Sequence, residues 1–283
     1  MRKKNLLLIA IIAITFTSCK SSFYYQVYQT EASQEMSHKS NKIVYEDENC
    51  IVSYNLWKDG GNMGFMFTNK TEYDIFLNLE QSYFILNGIS YNYYKDRVFT
   101  SAVSSGVSES SGATASKSMM GLNYLNLFQR NNAAVSRTSG IVSSSGSSIS
   151  YNEQKIVCIP TKTSKIINEY NITELLIRDC DLLRYPSKKQ IRTINFTKNE
   201  SPLVFSNRIT YALENSSNLI EFENEFYVTE VTNYPEKEII KKEYDEFCGE
   251  KSDEKIEFFK NTSPSKFYIR YSKGPKGAKE FKH

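Results

Sequence analysis

Five cysteines and two histidines are the side chains in this 283-residue chain with the greatest chemical reach. A thiolate is a nucleophile and a metal ligand, and a neutral imidazole is the commonest general base. Their positions argue against both uses. His38 lies in a polar N-terminal stretch and His283 is the last residue. Neither is placed like a core general base, which counts against Ser-His-Asp, Cys-His and His-ligated metal sites. Cys50, Cys158, Cys180 and Cys248 are spaced too widely and irregularly for zinc. In an oxidising compartment those four permit two disulfides in three connectivities, and buried free thiols are the alternative. Tyr45-Glu46-Asp47-Glu48-Asn49 lacks calcium-loop spacing and reads as a solvated turn. Asp179 and Asp181 flank Cys180, but a carboxylate hydrolase needs two acids held about 5–10 Å apart across a substrate. No glycine-rich phosphate loop is present, and no motif singles out a Ser-Lys pair. The expectation is no catalytic residue, no metal, no cofactor and no enzymatic activity.

Aromatic side chains are the remaining candidates, with 20 Tyr, 17 Phe and one Trp. On a strand, Tyr91 and Tyr93 share one face and Tyr94 takes the other. An exposed Tyr pair would stack on a sugar or a partner protein, whereas core and cross-strand packing is the commoner fate of such rings. Trp57, just ahead of Gly60-Gly61, carries the same two readings.

The fifth cysteine has a different context. Arg2, Lys3 and Lys4 precede an apolar run from Leu6 to Phe16, which is too short to span a hydrocarbon core of roughly 30 Å. Small residues then lead into Cys19, the order of a secretory signal. Phe16-Thr17-Ser18-Cys19 resembles the lipobox of bacterial lipoproteins. The resemblance implies that residues 1–18 are removed and that Cys19 becomes the lipid-bearing first residue. Two or three acyl chains, at about 0.8 kcal/mol per buried CH₂, hold a protein stably on a membrane. Lys20 stands where an Asp would signal inner-membrane retention, which favours the outer membrane. No acidic run follows the cysteine, which favours the periplasmic face over the cell surface.

The elements that would position these residues read as β-structure. Lys and Arg number 35 against 32 Asp and Glu, so the charge is nearly balanced and there is no clustered cationic footprint for nucleic acid. Residues 19–42 are polar and read as a lipidated tether, although Phe23 to Tyr28 would also serve as a first strand. Residues 43–100 hold short β-branched and aromatic runs between turn clusters at Lys58–Asn62, Asn69–Glu72 and Asn87-Gly88. Asn-Gly is the strongest short hairpin signal, because both residues accept positive φ. Residues 101–150 are rich in Ser and Gly and read as a flexible insertion, interrupted by the apolar island Met119 to Phe128. Residues 151–283 return to strands, with Ile239, Ile240, Tyr244 and Phe247 at helical spacing. A short helix over 235–247, with Gly249 as its cap, is expected there, followed by a basic tail. The fold expected is mainly β, an antiparallel sandwich. Residues 64–94 resemble the immunoglobulin-like modules of small exported lipoproteins in architecture. The role expected is non-enzymatic binding or structural support in the envelope through a protein partner. A carbohydrate-binding surface lipoprotein is the alternative, and a carboxylate hydrolase comes third.

Overall fold

Alternating Val, Ile, Tyr, Phe and Thr between Gly, Asn and Asp turns make pleated surfaces with one apolar face. The computed structural model describes residues 23–39, 41–105, 145–214, 216, 218–274 and 282, and these are mainly antiparallel β. The first strands are β1 (Phe23–Ala32), β2 (Ser37–Lys39), β3 (Lys42–Glu46), β4 (Cys50–Tyr54), β5 (Phe65–Asn69) and β6 (Ile75–Asn78). Next come β7 (Tyr83–Leu86), β8 (Ile89–Asn92), β9 (Val98–Ser105), β10 (Ser145–Asn152), β11 (Ile156–Ile159) and β12 (Ser164–Ile167). The last are β13 (Thr193–Asn195), β14 (Val204–Leu213), β15 (Leu219–Pro235), helix α1 (Glu236–Ile239), β16 (Ile240–Phe247), β17 (Glu250–Phe259) and β18 (Lys266–Ser272).

The chain divides into two compact units. The larger, residues 1–94 and 154–283, is a sandwich. One sheet runs β11-β6-β14-β15-β1-β18, with β7, β8 and β13 attached at its margins; the other runs β12-β5-β4-β3-β2. Rings interdigitate between the sheets. Tyr45 stacks on Phe222 at 4.5 Å, Phe67 meets Tyr211 at 5.5 Å and Tyr54 meets Phe226 at 5.3 Å. Such pairs add about 0.5–1.5 kcal/mol each beyond the area they bury. Polar bonds cross with them. The Asn224 amide donates to the Tyr54 hydroxyl at 2.8 Å, and the Asn207 amide donates to the Met63 carbonyl at 3.0 Å.

The smaller unit, residues 95–153, holds the antiparallel pair β9–β10. Its base is tied by Glu153, which accepts from the Lys95 and Arg97 backbone amides at 2.8 and 3.2 Å and from the Arg97 guanidinium. Burial pushes the Glu153 carboxyl up, but those bonds prevail and hold it below its ordinary value.

Three sequence expectations need correction. The segment 19–42 is not a tether throughout, because β1 occupies residues 23–32 and lies between β15 and β18 in the large sheet. Tyr25 to Tyr28 are buried there, so polar composition concealed a core strand. The stretch 101–150 is bounded by strands, since β9 runs to Ser105 and β10 starts at Ser145; its middle, with the island 119–128, lies outside the described residues. The helix expected over 235–247 is one turn, Glu236–Ile239, and residues 240–247 are strand β16 paired with β17. The supposed cap is a hairpin turn. Cys248 and Gly249 both have positive φ, 53° and 84°, as a type I′ turn requires.

Candidate functional site

β1 begins at Phe23, and the ends of its two neighbours lie beside it. Phe23 faces Ser272 of β18, and Tyr24 faces both Pro235 of β15 and Tyr271 of β18. Rings gather at this end. Tyr24 stacks on Tyr271 at 5.8 Å and meets Tyr185 edge-on at 5.1 Å. Cations cover the rings. The Arg184 guanidinium and the Lys273 ammonium lie 5.4 and 5.5 Å from the centre of Tyr185, and Arg270 lies 3.7 Å from the centre of Phe23. The Arg184 amide donates to the Lys282 carbonyl at 2.8 Å, which brings a further lysine to the same place.

Arg184 and Tyr185 belong to an irregular segment between β12 and β13, and two strand side chains hold that segment on the sheet. Gln26 of β1 donates to the Ile177 carbonyl and to the Asn233 side chain, both at 2.9 Å. Its carbonyl oxygen accepts from the Ile177 amide at 2.7 Å and from the Tyr28 hydroxyl. Asn233 of β15, opposite Gln26 in register, donates to the Leu183 carbonyl at 3.0 Å. Burial raises both the Tyr28 and Tyr271 phenols, so both stay neutral donors at ordinary pH. Tyr271 donates to the Arg184 carbonyl. Gln26, Arg178, Arg184, Asn233 and Tyr271 line a cavity of about 10 Å³. Among the described residues, Arg184 Nε is buried with no hydrogen-bond partner.

Cations and acids meet at this end, but among the described residues several of the cations stand without a carboxylate partner. Among the described residues, none of Arg178, Arg184, Lys273 and Lys282 is ion-paired. Elsewhere Lys198 pairs with Glu225 at 2.5 Å and Arg208 with Glu223 at 2.9 Å. The acids closest in sequence to Arg178 are Asp179 and Asp181, which form their own turn: the Asp181 amide donates to Asp179 Oδ1 at 2.8 Å. α1 contributes Glu236 and Glu238, and Glu238 is taken by Lys188 at 3.3 Å.

The residues singled out in the sequence fall elsewhere. Cys19 lies outside the described residues. Cys50, Cys158, Cys180 and Cys248 are free thiols, so neither disulfide allowed by their number is formed. Cys50 is buried, while the other three are exposed on β11, in the irregular segment and at the hairpin tip. Burial, with Asp47 nearby, raises the Cys50 thiol and keeps it protonated. The Glu46 to Asn49 cluster is a turn: Asp47 Oδ1 accepts from the Asn49 and Cys50 amides at 2.8 and 2.7 Å, and Glu46 pairs with Lys39 and Lys70. No group of three metal-ligating side chains occurs among the described residues.

The aromatic candidates are engaged in packing. Tyr93 is 2% exposed and donates to Asn207 at 2.6 Å, while Tyr91 is 40% exposed beside Phe84 and Tyr170. Tyr94 is half-buried. Trp57 packs on Phe259 and Tyr268 at 5.0 and 5.1 Å. A shallow cleft of about 580 Å³ lies toward the far end of β1, lined by Gln29, Glu31, Asn195, Phe196 and Tyr227 among others.

Sequence reasoning missed the gathered end of the sheet. Gln26 falls in the polar stretch that reads as a tether, and Arg184 and Tyr185 carry no local pattern. The available signal is Phe23-Tyr24-Tyr25-Gln26-Val27-Tyr28, a strand-like run three residues beyond Cys19. No protein-family model, curated protein or solved structure matches the chain.

Proposed function

We propose that the chain is a lipid-anchored protein of the bacterial envelope with a non-enzymatic binding or structural role. It is held through Cys19, at the outer membrane and on its periplasmic face. The observation that carries the reading is the order of basic, apolar and small residues ending in Phe16-Thr17-Ser18-Cys19, followed within four residues by the first strand of a folded body. The dispersal of the histidines and cysteines supports a role outside catalysis: His38 is exposed, and among the described residues no two cysteines are joined. The engagement of Tyr91, Tyr93 and Trp57 with neighbouring rings favours a protein partner over a glycan.

Metabolic labelling with radioactive palmitate tests the anchor. Label enters the wild type and is absent from Cys19→Ala, and intact mass places the mature N-terminus at Cys19. Equal labelling of the two chains, or a mature N-terminus away from Cys19, would overturn the reading.

A further inference from the structure

We propose that the end of the large sheet at which β1 begins is a headgroup-binding face that seats the sandwich on an anionic phospholipid surface. The inference rests on the lipid anchor at Cys19. It adds which side of the body meets the membrane and through which groups.

Chain length is the first argument. Lys20, Ser21 and Ser22 alone lie between Cys19 and the first residue of β1. At no more than 3.3–3.6 Å per residue, Phe23 lies within about 14 Å of the anchored residue, whatever path the chain takes. The polar interface of a bilayer is roughly 5–8 Å thick on each side, and the Debye length at physiological salt is about 8 Å. The start of β1 is therefore held where the surface potential of anionic lipid is still felt.

Charge complementarity is the second. Tyr24 touches Tyr185, and Tyr185 carries Arg184 and Lys273 over its ring, with Lys282 bonded through its carbonyl to Arg184. These three cations are free of carboxylate partners among the described residues. A planar guanidinium and two ammonium groups match phosphate oxygens. Tyr24 is a half-buried ring, the kind of side chain enriched at membrane–water interfaces, and Tyr271 and Tyr185 pack beneath it with the Tyr271 hydroxyl bonded to the Arg184 carbonyl. Acidic groups at this end are Glu236 and Glu238 on α1, Asp179 and Asp181 in the segment that carries Arg184, and Asp59 and Glu257 on the side of Arg270; this is why Arg270 is left out of the face.

Vesicle co-sedimentation of the chain starting at Lys20, which keeps the complete sandwich and lacks both leader and lipid, tests the face alone. Binding is expected to vesicles of phosphatidylglycerol with phosphatidylethanolamine, weakening as salt rises, and not to phosphatidylcholine vesicles. At about fivefold for each cation near the surface, Arg184→Gln/Lys273→Gln/Lys282→Gln lowers the partition coefficient on the order of a hundredfold. The double variant Lys273→Gln/Lys282→Gln, which leaves Arg184 on the Tyr185 ring, lowers it on the order of twentyfold. The charge-matched control Lys39→Gln/Lys162→Gln/Lys165→Gln binds like the parent. Equal binding to neutral vesicles, unchanged binding of the double variant, or an equal loss in the control would each overturn the proposal. Palmitate labelling of Cys19 reads the anchor independently, so failure of the anchor and failure of the face are separate results.

Discussion

Gln26 uses its whole hydrogen-bonding capacity on three partners, the Ile177 backbone, Asn233 and Tyr28, and no water-exposed group replaces it. Replacing it with Leu leaves the Ile177 amide and Asn233 buried without their partner. Gln26→Leu is expected to cost about 2–4 kcal/mol, read as a fall in the urea midpoint with an unchanged m-value. Gly61 is a second such position. Its φ is +73°, and a Cβ there would lie 2.6 Å from Ile172 Cδ1 and 3.0 Å from Phe267 Cγ. Left-handed backbone and overpacking each cost a non-glycine residue about 1–2 kcal/mol, so Gly61→Ala should lower the thermal midpoint clearly. Glu153 makes a pH prediction. Its folded value lies below the ordinary 4.5, so its bonds contribute fully above that value and are lost as pH falls through the folded one. Arg97 is 36% exposed, which limits the pairing to about 1 kcal/mol. Hydrogen exchange at the Lys95 and Arg97 amides should quicken below pH 4.5 beyond its intrinsic rate, and Glu153→Gln should abolish that dependence.

At the scale of elements, β1 and the β16–β17 hairpin behave oppositely. β1 pairs with β15 over Tyr24 to Ala32 and with β18 over Phe23 to Gln29. A chain starting at Ile43 loses that strand and should not fold, whereas one starting at Lys20 should; circular dichroism and aggregation state decide between them. Among the described residues β16 and β17 pair only with each other, and Phe247 and Tyr244 are exposed. Excising residues 242–257 should leave the thermal midpoint of the sandwich within a few degrees. Phe259→Ala should lower it more, because that ring packs on Tyr25, Trp57 and Tyr268. The loop at Lys58–Asn62 works as an edge guard. The Gly60 amide donates to the Tyr268 carbonyl at 2.8 Å and the Tyr268 amide to the Lys58 carbonyl at 3.3 Å, closing the outer edge of β18.

For the whole molecule, near-neutral charge and an antiparallel sandwich give a body whose solution spectrum should be β-dominated. A helix-dominated far-ultraviolet spectrum would contradict the fold. On the anchor proposed at Cys19, the short connection to β1 would make attachment oriented, because a three-residue spacer would hold one end of the sheet near the bilayer. A long tether, as the polar composition of residues 19–42 suggested, would have left the body free to tumble. Under that proposal orientation and partner choice are linked, since a partner would approach the faces left clear of the membrane.

Local chemistry was legible wherever one residue type has one cheap conformation. Asn87-Gly88 takes φ of 48° and 81° in the hairpin between β7 and β8, and the alternating runs that follow each turn cluster became strands. The sandwich itself follows from that pattern, since two half-apolar sheets bury their faces against each other. What tertiary structure decided were matters of pairing. Ile239, Ile240, Tyr244 and Phe247 fit a helix by spacing, yet a strand partner in residues 250–259 and a Cys248-Gly249 turn made them β. Gln26 reads as polar and solvated, yet pairing of β1 with β15 set Asn233 beside it and the carbonyl of Ile177 above it. Arg184, Lys273 and Lys282 are dispersed in the sequence and meet only because β18 ends where β1 begins. Periodicity reports the face a residue presents, but its neighbour on that face comes from a distant part of the chain.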